Sequence, residues 1–390
     1  MKRSVCVGAL AVACMASCGG PAPSTELVET TSSPIQNGTT DTTHLFAVGV
    51  VQFAQAQQNT VAFCSGVLLA PNLVATARHC VAQLTSTTID CTSSTFGPLY
   101  PASEVYVTTD ATITMDSPFH PVSTVIVPSA ADQTAVCGND IALMILSDNI
   151  DLPQYAEPVI VPPMTDKQYE PVVTAIGYGV DTPTDTTGMS AGKRRIIENV
   201  QLTCIPNDTS FTDCFSDPQA RQLLTASEFV SGDSTCEGDS GSAAFEQSNF
   251  DLGKWVAFGV LSRGGTSTNG LTCDQPIYSR FDAWGSLLVG AAQQAAMAAA
   301  SQGAAYPLAT WAGGTGQLDG GSTISVTYTD AGECLTGACA EAGVQASGSS
   351  SGGCAVASGR PGQRGVPAGV ALLGLATVAT RRRRRVPKRS

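Results

Sequence analysis

Between residues 35 and 290, short apolar runs rich in valine, isoleucine and threonine alternate with clusters of glycine, proline and aspartate. Residues 46–53, 105–114, 172–177, 196–203 and 255–262 carry this pattern most clearly and are predicted to be β-strands, which makes the region all-β. Its length suits paired β-barrels folded as one unit. Residues 282–303, with Trp284, Leu287, Leu288 and many alanines, predict a C-terminal helix. Glutamines interrupt its apolar run and argue against a membrane role.

Outside this region the pattern changes. Met1-Lys2-Arg3 followed by a short apolar stretch to Met15 is too brief to span a bilayer and predicts an export signal over 1–18. Residues 19–34, rich in proline, serine and threonine, read as a tether or propeptide. From 304 to 351, glycine, serine, threonine and alanine with few large apolar residues predict a linker rather than a second domain. The final segment, 352–390, holds Gly353-Cys354, an uncharged stretch over 366–380 and a cluster of arginines from Arg381 to Arg385. The apolar stretch is marginal for a full span, and the arginines would keep its end on the cytoplasmic side.

Candidate chemistry centres on Cys236-Glu237-Gly238-Asp239-Ser240-Gly241-Ser242, where a serine is flanked by glycines that leave backbone amides free to meet a charged oxygen. A serine hydroxyl needs a base to become a nucleophile at neutral pH. The chain has only 3 histidines, and His79 has the best context: it follows an apolar strand, a Pro71-Asn72 turn and a second apolar strand ending in Thr76-Ala77-Arg78-His79-Cys80. Asp140, just before the apolar run that begins at Ile141, would be partly buried and can accept the other imidazole N–H. Singly these segments have plain structural explanations, as a packed histidine, a turn and a glycine-rich loop. Their order, His79 then Asp140 then Ser240, is one of the known chain orders for this constellation.

With Thr76-Ala77-Arg78-His79-Cys80, Asp140-Ile141-Ala142-Leu143 and Gly238-Asp239-Ser240-Gly241 in place, the region resembles the trypsin and chymotrypsin family of serine peptidases. The resemblance implies two six-stranded antiparallel β-barrels with the active site between them, His79 and Asp140 from the first and Ser240 from the second, and the 282–303 helix packed on the second. It also implies an oxyanion site at the amides of Gly238 and Ser240. Ser262 is similar to the serine that bonds the orienting carboxylate and begins, with Gly264, the segment that pairs with substrate. Gly177-Tyr178-Gly179 is similar to the family's Gly-Trp-Gly turn. Ile35 resembles the N-terminus created on zymogen cleavage, whose ammonium would pair with Asp239. Cys64 with Cys80 and Cys236 with Cys273 are implied disulfides, leaving Cys91 with Cys137 and Cys204 with Cys214 as remainders.

The chain departs from the family at several points. Pro34 precedes Ile35 where an arginine or lysine is usual, which argues against a trypsin-like activator. Arg78 stands for an alanine, and Arg263 for an aromatic residue, which would add positive charge beside the cleft. Ser234, at the base of the primary specificity pocket, cannot neutralise a basic substrate side chain, and Pro276 would narrow the pocket wall. An uncharged, apolar residue before the scissile bond is expected; Asp233 and Asp274 are the nearby carboxylates that a shift would bring in. Met15-Ala16-Ser17-Cys18-Gly19 resembles a bacterial lipobox with Cys18 lipidated, and the tail around Cys354 resembles the MYXO-CTERM sorting tails of myxobacteria and their relatives.

The chain contains 14 cysteines and a net charge of −12 despite its basic C-terminal end. Paired cysteines need an oxidising compartment, so export to the cell surface or outer membrane, with release from it, is the expected destiny. An acidic body would repel nucleic acid. No cofactor is implied, and zinc is disfavoured because no C-x-x-C spacing occurs. Expected partners are protein or peptide substrates, an activating protease, and the membrane through the N-terminal lipid or C-terminal tail. The rival function is a catalytically silent surface binding protein on the same fold; an esterase is the third.

Overall fold

The computed structural model describes residues 35, 38–54, 60–86, 89–129, 133–211, 214, 223–267 and 269–304, with scattered positions up to 324. The expected export signal with Cys18, the tether through Pro34, most of the linker and the tail with Cys354 lie outside the described residues. Among the described residues no helix is long and apolar enough to cross a membrane.

Two closed six-stranded antiparallel barrels make up the fold. The first contains β1 (Ala47–Ala54), β2 (Thr60–Ala70), β3 (Leu73–Thr76), β4 (Val105–Thr108), β5 (His120–Ile126) and β6 (Ala142–Leu146). They close in the order β1-β2-β3-β6-β5-β4. The second contains β7 (Val172–Gly177), β8 (Arg195–Cys204), β9 (Glu228–Ser231), β10 (Ala243–Glu246), β11 (Val256–Thr266) and β12 (Cys273–Arg280). Its ladders run β7-β8-β9-β12-β11-β10, with β10 back against β7. The same permutation of six strands is thus used twice, and closure leaves neither barrel with a free edge.

Strands β3 and β6 are buried along their whole length, which explains why, Thr76 apart, they are apolar at every position rather than alternating. One apolar cluster joins Leu68, Leu73, Val74, Leu143 and Ile145 of the first barrel to Ile176, Phe245, Ala257 and Val260 of the second. This continuous seam fixes one barrel against the other, and so fixes the groove between them. A second cluster, with Val173, Phe229, Phe258 and Tyr278, fills the second barrel.

Two expectations are corrected. The predicted strand over 105–114 ends at Thr108, because the chain then leaves the barrel: Thr112 bridges to Lys193 and Ile113 N–H bonds Gly192 O at 2.7 Å. The C-terminal helix, Gly285–Ser301, packs on the first barrel rather than the second. Its small residues Ala291, Ala292 and Ala295 join the cluster of Leu73 and Ile145, and Asn72 Nδ2 donates to Ala295 O at 3.0 Å. Alanines allow the helix to approach closely and cover an apolar wall that would otherwise face water.

Candidate active site

Strand β3 stops at Thr76, and Arg78–Cys80 form a single 3-10 turn rather than the strand end expected. The Cys64 to Cys80 disulfide ties that turn to β2. Arg78 braces it from below: Nη1 donates to Gln133 O at 2.8 Å and to Pro128 O at 3.3 Å, and the guanidinium lies 4.3 Å from the Phe96 ring centre. This buried strut accounts for an arginine where the family has alanine.

Asp140 is 1% exposed and receives donors from both barrels. Its Oδ1 accepts His79 N–H at 2.9 Å, and Oδ2 accepts His79 Nδ1–H at 2.8 Å and Ser262 Oγ–H at 2.7 Å. Ser279 Oγ holds its main-chain oxygen at 2.8 Å. Burial alone would raise the Asp140 pKa, but the facing imidazolium and these hydrogen bonds outweigh it and hold the carboxyl below its ordinary value. For His79, burial pushes the pKa down, and the Asp140 charge and hydrogen bond overcome it, so the net shift is upward. With Nδ1 committed to Asp140, Nε2 is the ring atom left to exchange a proton.

The loop carrying Ser240 turns sharply at Gly238 and Gly241, with φ of 89° and 84°, a left-handed backbone that glycine adopts without strain. Asp239 is fully buried beneath it, with Oδ1 accepting Gly179 N–H at 2.7 Å and Oδ2 accepting Cys236 N–H at 2.9 Å. A Cβ on Gly177 or Gly179 would overlap Asp239, which is the physical reason for both glycines of Gly177-Tyr178-Gly179. Burial pushes the Asp239 carboxyl up to about 7, against the pull of those two amides and of Arg195. Ser65 staples the loop to the first barrel: its N–H donates to Ser240 O at 2.7 Å, and its Oγ donates to Gly238 O at 3.1 Å and accepts Tyr178 N–H at 2.9 Å. The amides of Gly238 and Ser240 and the hydroxyl of Ser240 have no hydrogen-bond partner among the described residues.

His79, Asp140 and Ser240 line one cleft of about 670 Å³, together with Ser262, Arg263 and Gly264. Leu84, Ile89, Val136, Leu223, Leu261 and Ile277 give it an apolar lining. Ser234 and Pro276 lie buried outside that lining; Ser234 Oγ donates to Gly232 O at 3.1 Å, and Pro276 sits 3.6 Å below where a Gly264 Cβ would be. Asp233 and Asp274 face each other rather than the cleft, and burial, with the neighbouring carboxyl, raises the Asp233 pKa. The positive charge expected from Arg263 is neutralised by Glu228, 2.5 Å away. Ile35 is fully buried.

All four disulfides are formed: Cys64 with Cys80, Cys91 with Cys137, Cys204 with Cys214, and Cys236 with Cys273. Cys64, His79 and Cys80 form the one group among the described residues with metal-like spacing. Its sulfurs are bonded to each other and are not thiolates, so the donor set does not suit an ion. Sequence reasoning missed Ser65, Glu228 and the buried Arg194 to Asp41 ion pair, 3.0 Å long. Only Glu228 left a local trace, as a carboxylate opening the apolar run Phe229-Val230.

A family model described as Trypsin matches residues 35–284. No curated protein sequence matches the chain. Among solved structures, the secreted serine protease VesC from Vibrio cholerae is 20% identical at a TM-score of 0.45, over 64% of this chain and 47% of that one. The chain therefore spans about half the length of that protease. An inactivated protease paralogue from the scabies mite is 17% identical at a TM-score of 0.45, over 70% of this chain and 99% of its own.

Proposed function

This chain belongs to the trypsin family, and from that premise we propose that it is an exported serine endopeptidase acting by acyl transfer. Ser240 Oγ attacks the peptide carbonyl carbon while His79 Nε2 takes its proton, and the Gly238 and Ser240 amides receive the oxyanion. His79 then returns the proton to the leaving amine, and water, activated by the same imidazole, releases the acyl group. The observation that carries this reading is the conjunction in one cleft of Ser240, whose hydroxyl and amide have no hydrogen-bond partner among the described residues, with an imidazole whose other nitrogen is committed to Asp140. The apolar lining supports an uncharged, apolar residue before the scissile bond.

Activation by cleavage before Ile35 is supported by Asp239, a buried carboxylate in no ion pair among the described residues. An ammonium created at Ile35 would supply its cation and organise the nucleophile loop. Pro34 calls for an activator that is not trypsin-like. The export signal, lipidation at Cys18 and a sorting tail through Cys354 complete the proposal, with the 35–303 domain held at a bacterial surface and shed from it.

Fluorophosphonate labelling of the chain before and after limited cleavage at Ile35 tests the mechanism. Labelling after cleavage, lost in Ser240→Ala, is expected. Absence of label in both forms would instead assign a silent binding protein. Peptide-library cleavage and mass spectrometry of the mature termini test the substrate and sorting readings.

A further inference from the structure

Asp140 is joined through one hydroxyl to a second pair of charges, the half-buried Arg263 and the buried Glu228. Ser262 Oγ lies 2.7 Å from Asp140 Oδ2 and 3.1 Å from Arg263 Nη1. Arg263 Nη1 and Nη2 meet Glu228 Oε1 and Oε2 at 2.5 and 3.1 Å, the two-pronged geometry that a guanidinium and a carboxylate favour. Glu228 is fully buried. Its Oε1 also accepts Gly138 N–H at 2.8 Å, two residues before Asp140, and its Oε2 accepts Thr225 N–H at 2.8 Å. Arg263 Nη2 donates further to Leu223 O and lies 3.9 Å from Cys91 Sγ, whose disulfide partner Cys137 adjoins Gly138.

The donor inventory fixes the direction of this chain. A guanidinium carries donors only, an ionised carboxylate acceptors only, and a hydroxyl has one hydrogen to give. Ser262 Oγ accepts from Arg263, and its single hydrogen is therefore left for Asp140. Without the guanidinium, that hydroxyl is free to turn its hydrogen elsewhere. A lone cation here would oppose the imidazolium that forms on His79; Glu228 offsets it, so the ion pair acts as one unit.

We propose that Arg263 and Glu228 are a positioning pair for the carboxylate that orients His79: Arg263 holds Ser262 as a donor to Asp140, and Glu228 anchors both the guanidinium and the loop that carries Asp140. This rests on the peptidase reading given above. The competing role is substrate contact, because Arg263 also lines the cleft; contact alone predicts a change in KM.

The test uses the full chain after activation, with Arg263→Gln, Arg263→Lys and the charge-free pair Glu228→Gln with Arg263→Gln, each alone and combined with Ser262→Ala. Readouts are kcat and KM on peptide substrates and the His79 titration by NMR, with His44 and His120 as references in the same spectra. Arg263→Gln is expected to lower kcat about tenfold with KM changing less than about twofold. It is also expected to move the His79 titration, partly through the lost charge itself; the charge-free pair isolates the part carried by Ser262, and that part, with the kcat effect, should vanish when Ser262 is already alanine. Arg263→Lys, which keeps the charge without the fork, should fall between. If Arg263→Gln leaves Glu228 bare and unfolds the chain, the charge-free pair carries the test; if that also fails to fold, Arg263→Lys carries it.

A loss confined to KM, an equal loss in the Ser262→Ala background, or full kcat in Arg263→Lys would overturn the proposal. Failure of the unsubstituted chain to label at Ser240 would sink the peptidase reading instead. The His79 titration would then still decide the positioning role, and no shift in the charge-free pair would overturn it.

Discussion

Ser65→Ala is expected to weaken both the stability of the fold and the reactivity of Ser240. The residue is 1% exposed, and its hydroxyl serves Tyr178 N–H at 2.9 Å and Gly238 O at 3.1 Å. Deleting it leaves the buried Tyr178 amide without an acceptor, at about 1–3 kcal/mol, and removes a donor from the part-buried Gly238 carbonyl, at about 0.5–1.5 kcal/mol. The sum, about 1.5–4.5 kcal/mol, corresponds to a Tm lowered by roughly 3–18 °C in a domain of this size. Gly238 is also the residue whose amide is proposed to meet the oxyanion. A donor there contributes on the order of 10²–10³ in rate, and partial loosening of its peptide is expected to cost about 10- to 100-fold. Calorimetry with the disulfides intact measures the first effect, and the rate of fluorophosphonate labelling measures the second. A Tm within about 2 °C of the parent together with an unchanged labelling rate would refute the assignment of Ser65 as the staple between barrel and loop.

Three further outcomes are expected. Because Asp140 raises the His79 pKa above 6.5, kcat/KM, which needs the neutral imidazole, should fall as pH drops through a value above 6.5, while the stabilisation of imidazolium is full below 6.5 and lost as pH rises through that raised value. In Asp140→Asn the limb should move down and kcat fall on the order of 10³- to 10⁴-fold; a pH profile of the parent with its limb at or below 6.5 would contradict this. Asp239, pushed by burial to about 7 from 3.8, should make the uncleaved chain more stable as pH falls between those values, since the folded state binds the extra proton. Asp239→Asn should reduce that dependence, in urea titrations at pH 5 and 8, to the part carried by His79 and Asp233, and leave Ser240 unlabelled after cleavage at Ile35. Gly241→Ala places a Cβ on Ser65 O and Thr76 Oγ1 at a φ of 84°. The loop must shift, by about 1 Å, and labelling is expected to drop by about 100-fold or more; near-normal labelling of a folded variant would show that the loop adjusts freely.

Local chemistry made much of the molecule legible in its sequence. Strand segments such as Val172–Gly177 announced themselves because buried strands require apolar, branched side chains. His79, Asp140 and Ser240 stood out because few residue types can carry acyl transfer and their neighbours repeat a known pattern. Among the described residues the cysteines paired as the family resemblance implied, and Cys91 with Cys137 and Cys204 with Cys214, which followed only as remainders, are bonded too. The tertiary structure alone decided the rest. Ser65 reaches Gly238 across 173 residues, and Glu228 reaches Gly138 across 90; nothing near either residue in the chain encodes its partner. The charge of Arg263 reads as a free cation in sequence and finds its buried partner Glu228 only when β9 and β11 are brought into one barrel. The alanine-rich helix could have covered either barrel, and the choice fell to the wall where Asn72 meets Ala295. Residue type and spacing determine which chemistry is available, whereas hydrogen-bond direction and charge compensation depend on contacts between distant segments and exist only once the chain has folded.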